Sequence, residues 1–153
     1  MNRDLAQDAV MKSAVPCIAR ILLALIFVLA GINQLSGTAR TAATMTSHGI
    51  PFANVLVYGA IIVELGGGLM LMLGWQARWG ALGLFFYTMA LALIFHPFWA
   101  EEAAQRRADY SSFFGHLSMM GGMLYVYVFG AGAWSVDHHL QRGSGSPQHG
   151  RRE

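Results

Sequence analysis

Glu64 stands in the middle of ANVLVYGAIIVELGGGLMLML, residues 53–73, where no other side chain is charged. A carboxylate surrounded by hydrocarbon is costly unless it is paired, neutralised or wetted, so an acid placed there marks a candidate site. Arg20 is the cation within reach. It shares a helical face with Ala24, Phe27, Gly31 and Gln34, at steps of three or four residues. At 1.5 Å per residue, the two groups differ in depth by about 6 Å, which an extended Arg side chain can span. A pair of this kind holds the acid ionised and satisfies the guanidinium fork. If Arg20 turns to the headgroups instead, Glu64 is left as a neutral acid able to carry a proton. The spacing alone leaves both open.

A second polar tier comes from Asn33 and Gln34 at the end of one apolar run, His96 at the end of another and His116 at the start of a third. Imidazoles titrate near neutral pH and can carry protons or ligate. An interfacial histidine costs little, however, and needs no function to explain it. Arg20, Asn33, Gln34, Glu64, His96 and His116 together form a candidate polar pocket opening outward. Met120, Met123 and Tyr127 continue the His116 face; Tyr58 and Tyr87 lie in the neighbouring runs. Such a pocket suits a quinone headgroup or proton exchange at the membrane edge. A b-type haem would need facing histidines deeper inside. No metal set at helical spacing, serine–histidine arrangement, phosphate loop or nucleic-acid stripe is present. Cys17 is the only cysteine, which excludes an internal disulfide or a Cys-x-x-Cys redox pair and reads as an inert thiol.

The elements that must position these residues follow from composition. Only 12% of the 153 residues are charged and 55% are hydrophobic, against about a quarter charged in soluble domains. The deficit concentrates in four stretches, residues 15–35, 54–73, 79–98 and 113–134. Each approaches the ~20 residues that cross a bilayer. The predicted fold is an all-α integral membrane four-helix bundle, up-down-up-down. Seven Lys and Arg fall on the side of the termini and the 2–3 turn, and three on the other, which predicts both termini in the cytoplasm. Residues 1–14 read as a cytoplasmic leader, 15–137 as the membrane domain, and 138–153 as a disordered basic tail. Gly49 and Pro51 break the chain before the second span; LGWQARW makes a tight turn between the second and third, with Trp75 and Trp79 as interfacial anchors. The charged stretch 100–112 reads as a short amphipathic helix on the outer face. Ala60, Glu64, Gly67, Gly68 and Leu71 share one face of the second span, and Ser118 with Gly122 repeats the small-residue device for close helix approach.

The text resembles the DoxX family of small four-span bacterial membrane proteins. The resemblance runs from Pro16 to Asp137: Arg20 before AGINQL (30–35), HGIP (48–51), VELGGGLMLMLGW (63–75), FHPFW (95–99) and FGHLSMMGGMLYVYVFGAGAWSVD (114–137). The order and spacing of these segments carry it, more than any one of them. The family usually has Lys where this chain has Gln34, and Asn where it has His116. The resemblance implies a bacterial inner-membrane location and an association with respiratory, sulfur-redox or oxidative-stress systems. It thus implies an accessory or docking subunit with redox-enzyme partner proteins in the lipid bilayer, handling quinone or protons. A stand-alone quinone-linked oxidoreductase and a small transporter or permeability element using Glu64 are the alternatives. A bundle this small is also expected to cover its polar seam by homodimerising or joining a complex, and no nucleic-acid partner is expected.

Overall fold

Six helices follow one another in the computed structural model: α1 (Asn2–Ser36), α2 (Thr38–Ser47), α3 (Ala53–Leu73), α4 (Ala77–Phe95), α5 (Ala103–Phe129) and α6 (Val136–Ser144). Residues 2–99 and 103–144 are described, with side-chain surroundings for 7, 10–99 and 106–142. Among the described residues, three segments are long and apolar enough to cross a membrane: Val10–Ser36, Ala53–Leu73 and Ala77–Phe95. Helix α5 is longer, but its first third carries Arg106, Arg107 and Asp109; from Phe113 onward it holds no Asp, Glu, Lys or Arg. The molecule is an all-α bundle in which α1 packs along α3, α3 along α4, and α4 along α5.

Small residues set the spacing of these helices. A Cβ at Gly67 would stand 2.7 Å from the Leu84 side chain, and one at Gly68 would stand 3.0 Å from Val28. Close approach of this kind drives association where water supplies no hydrophobic force. Two apolar clusters result. One gathers Ala24, Phe27, Leu71, Ala81, Leu84, Met123 and Val126 at the end that holds the 74–76 turn. The other gathers Ala42, Met45, Ala53, Val57, Ala60 and Ile61 at the opposite end. Large apolar side chains such as Leu22, Leu29, Ile62, Phe86 and Val128 point outward, as lipid-facing positions do.

Several boundaries differ from those read in the sequence. The polar stretch before the first span is helical and continuous with it, α1 running from Asn2 through Pro16. The connection before Pro51 contains α2, whose Ala42 and Met45 bury against α3. Its Thr and Ser content conceals this helix, since the hydroxyls of Thr41, Thr44 and Thr46 bond back to carbonyls one turn earlier. The outer amphipathic helix and the fourth apolar stretch are one helix from Ala103, and that helix stops at Phe129 rather than 134. Gly130 and Gly132, at φ 81° and 80°, turn the chain out of the helix. Residues 136–144 are helical; 100–102 and 145–153, including most of the expected basic tail, lie outside the described residues.

Candidate functional site

Glu64 lies on the α3 face that turns inward and is 3% exposed. Its carboxylate accepts two hydrogen bonds from neighbouring helices. Tyr87 Oη of α4 donates to Oε1 at 2.8 Å, and Gln34 Nε2 of α1 donates to Oε2 at 2.5 Å. Three helices therefore converge on one acid. The α3–α4 hairpin dictates half of this: Glu64 lies ten residues before Gly74, and Tyr87 lies ten residues after Ala77. Equal arms from a tight turn bring the two to one level. That register was legible in the sequence, although Tyr87 was not among the predicted site residues.

Arg20 does not meet Glu64. Buried to 3% exposure, it spreads its guanidinium at the other end of the core over carbonyls at the end of α3 and in the segment that links α5 to α6. Nη1 donates to Ala131 O, and Nη2 to Trp134 O at 3.1 Å and Met72 O at 3.4 Å. The carbonyls at helix C-termini lack partners within the helix and carry partial negative charge, so a guanidinium is well matched to them. Depth alone allowed an ion pair without requiring one. The end of α3 and the segment after α5 offer Arg20 more acceptors, closer at hand.

The remaining predicted residues divide further. Gln34 reaches down to Glu64 rather than staying in the outer tier, whereas Asn33, one residue before it, is exposed on another face of α1. His96 and His116 do come together, with ring centroids 5.1 Å apart. Asp109 of α5 pairs with His96 Nδ1 at 3.1 Å, and His116 Nδ1 lies 2.7 Å from Ser112 O. Five of the six predicted residues thus divide among an Arg20 cap, a deep Gln34–Glu64 cluster completed by Tyr87, and a histidine pair completed by Asp109. Asn33 belongs to none of them. No group of three or more His, Cys, Asp or Glu able to hold a metal occurs among the described residues.

Beside the deep cluster, a cleft of about 380 Å³ opens between α3 and α4. Its walls are Ile50, Leu56, Val63, Leu91 and Phe95 among others, and Tyr87 lines it too. Tyr87 therefore has one face in an apolar cleft and its hydroxyl on a buried carboxylate. Gln34 Oε1 is buried with no hydrogen-bond partner, so the cluster keeps one acceptor unused. Chemically this arrangement can exchange a proton with, or hydrogen-bond, a polar group at the tip of an apolar molecule.

The DoxX family profile matches residues 15–97. Two proteins of Escherichia coli strain K12 are similar along most of the chain. The inner membrane protein YqjF is 34% identical over 126 residues, 82% of this chain and 91% of that protein. The inner membrane protein YphA is 30% identical over 120 residues, 78% of this chain and 86% of that protein. No solved structure matches the chain significantly.

Proposed function

The chain belongs to the DoxX family and is a multi-pass inner-membrane protein, and from that premise we propose that it serves a membrane redox system as an accessory subunit that binds a quinone-class ring. The observation that carries this reading is Tyr87, which lines the apolar cleft while donating to buried Glu64 at 2.8 Å. An isoprenoid quinone matches that pairing of surfaces, with an apolar tail and a ring bearing two oxygens. Tyr87, Glu64 and Gln34 would hold the ring end, and the cleft walls the first part of the tail. A bound quinone supplies two-electron chemistry; this chain's residues supply orientation and a proton relay.

The proton path follows from the hydrogen bonds. Glu64 has both oxygens occupied by donors, which holds the carboxylate in one orientation. Tyr87 is the residue common to the acid and the cleft, so a proton passing between Glu64 and a cleft ligand would go through or beside it. Gln34 Oε1, buried behind the cleft, is an acceptor left without a partner inside the cluster. In this reading α5 makes the fourth crossing from about Phe113, and both termini lie in the cytoplasm. The test is solvent extraction of the detergent-purified protein and quantification of quinone per chain. The expected result is near-stoichiometric quinone in wild type and a loss of most of it in Glu64→Leu and Tyr87→Phe. Wild-type protein free of quinone, after purification from membranes rich in it, overturns the reading.

A further inference from the structure

At the Arg20 end of the bundle lies a second pair of hollows that the deep cluster does not use. A polar cavity of about 530 Å³ is lined by Arg78, Gly130, Asp137, His138 and Gln141 among others. An apolar groove of about 320 Å³ runs between α1 and α5, lined by Pro16, Ala19, Leu23, Gly122, Tyr125 and Val126. The two meet at Gly130, which lines both. Arg20 also lines the groove, and its buried Nε has no hydrogen-bond partner.

The one carboxylate in the cavity is held in place by hydrogen bonds to neutral amides and keeps its charge. It is that of Asp137, whose two carboxylate oxygens accept from the amides of Gln76 and Ala77 at 2.7 and 3.1 Å. Arg78 is exposed, and its guanidinium lies over Gly130, 3.7–3.8 Å from where a Cβ would stand. Trp75, Trp79 and Trp134 are exposed at this same end, as residues at a headgroup boundary are. The composite hollow thus sets two guanidinium groups, Arg78 in the cavity and Arg20 at the groove, against the one carboxylate of Asp137, and its polar part at the headgroup level opens into an apolar groove at the acyl level.

We propose that this composite hollow is a binding site for one anionic glycerophospholipid, its phosphate beside Arg78 and His138 and an acyl chain in the α1–α5 groove. The helices that would close the ring of the bundle here hardly touch, and the lipid fills that gap. The unused Arg20 Nε stands where the chain and the headgroup join, and a glycerol ester oxygen is the acceptor this neck lacks. The inference is independent of the quinone reading, because it uses neither Glu64 nor its cleft.

Native mass spectrometry of the full-length, detergent-purified protein tests it, with phosphatidylglycerol, chain-matched phosphatidylcholine and inorganic phosphate titrated separately. Wild type is expected to take up phosphatidylglycerol about fivefold better than phosphatidylcholine, the effect of one surface cation. Arg78→Gln, at an exposed position, should bring the two lipids close to parity. Ala19→Phe should fill the groove and lower the uptake of both lipids. Glu64→Gln should leave the preference unchanged, which separates this site from the proposed function. Equal uptake of the two lipids by wild type, or a preference that survives Arg78→Gln, overturns the proposal. So does inorganic phosphate binding that needs Arg78 and ignores Ala19→Phe, since that describes a free-anion site. A protein dimer that forms only without lipid and is lost in Ala19→Phe assigns the groove to a second copy, and also overturns it.

Discussion

Glu64, Gln34 and Tyr87 show how an acid is tolerated inside hydrocarbon without a cation. Two donors on one carboxylate replace the water it lost, and each partner's removal leaves a buried acceptor short. Tyr87→Phe and Gln34→Leu are therefore each expected to cost about 1–3 kcal/mol, read by thermal unfolding in detergent. Arg20 does comparable work by a different route, as a shared donor for carbonyls of α3 and of the segment after α5. Because the two groups share no partner, the costs of Arg20→Met and Glu64→Leu should add within about 0.5 kcal/mol. A coupling above that limit would mean that they interact after all. The sequence made both residues conspicuous but left open whether they pair. Hydropathy gives depth, not azimuth, and the competing acceptors around Arg20 exist only once two helices have ended beside it.

At the scale of the element, the turn between α3 and α4 and the start of α6 form one lock. Gly74, at φ 68°, ends α3 with its own amide on Leu71 O at 3.1 Å and the Trp75 amide on Met70 O at 3.0 Å. This pattern of paired bonds needs a left-handed residue. A Cβ there would also stand 2.6 Å from Arg20 Nη1 and from Ser135 Cβ. Gly74→Ala thus incurs both strain and a collision with Arg20, and should destabilise by at least 2 kcal/mol. Gly49, at φ 74° with nothing within 4 Å of its Cβ position, isolates the first cost; Gly49→Ala should lower stability by only about 1 kcal/mol. Asp137 completes the lock by capping α4 from another helix, while its own amide donates to Gly74 O at 2.9 Å. Asp137→Ala should cost about 0.5–2 kcal/mol, as a lost cap does, with Asp137→Asn recovering much of it. The apolar runs and the tight turn were readable from composition. α2 and α6 were not, since one is rich in Thr and the other in charge, and both depend on tertiary contacts.

For the whole molecule, the bundle is asymmetric: a cationic, Trp-rich end, a deep acid, and an opposite end where His96, Asp109 and His116 meet. If the cationic end faces the cytoplasm, an impermeant maleimide added to spheroplasts should label Ser111→Cys and spare Gln141→Cys, both in a Cys17→Ser background. The reverse pattern would invert the topology. Fold class and membrane character were legible because they follow from apolar length, which one sequence displays. The site was legible only in part, because it depends on which helix face meets which, and α1 contributes Gln34 to the deep cluster while turning Asn33 away. The central claim is that an apolar, membrane-facing cleft leads to the Tyr87 hydroxyl and so to Glu64. Photo-crosslinking with an azido-quinone in native membranes, followed by peptide mapping, tests that most directly. Labelling is expected on the cleft-lining parts of α3 and α4, competed by unmodified quinone and reduced at least about tenfold in Tyr87→Phe, equivalent to about 1.4 kcal/mol. Labelling spread evenly over all lipid-facing helices, insensitive to competitor and to Tyr87, would contradict it.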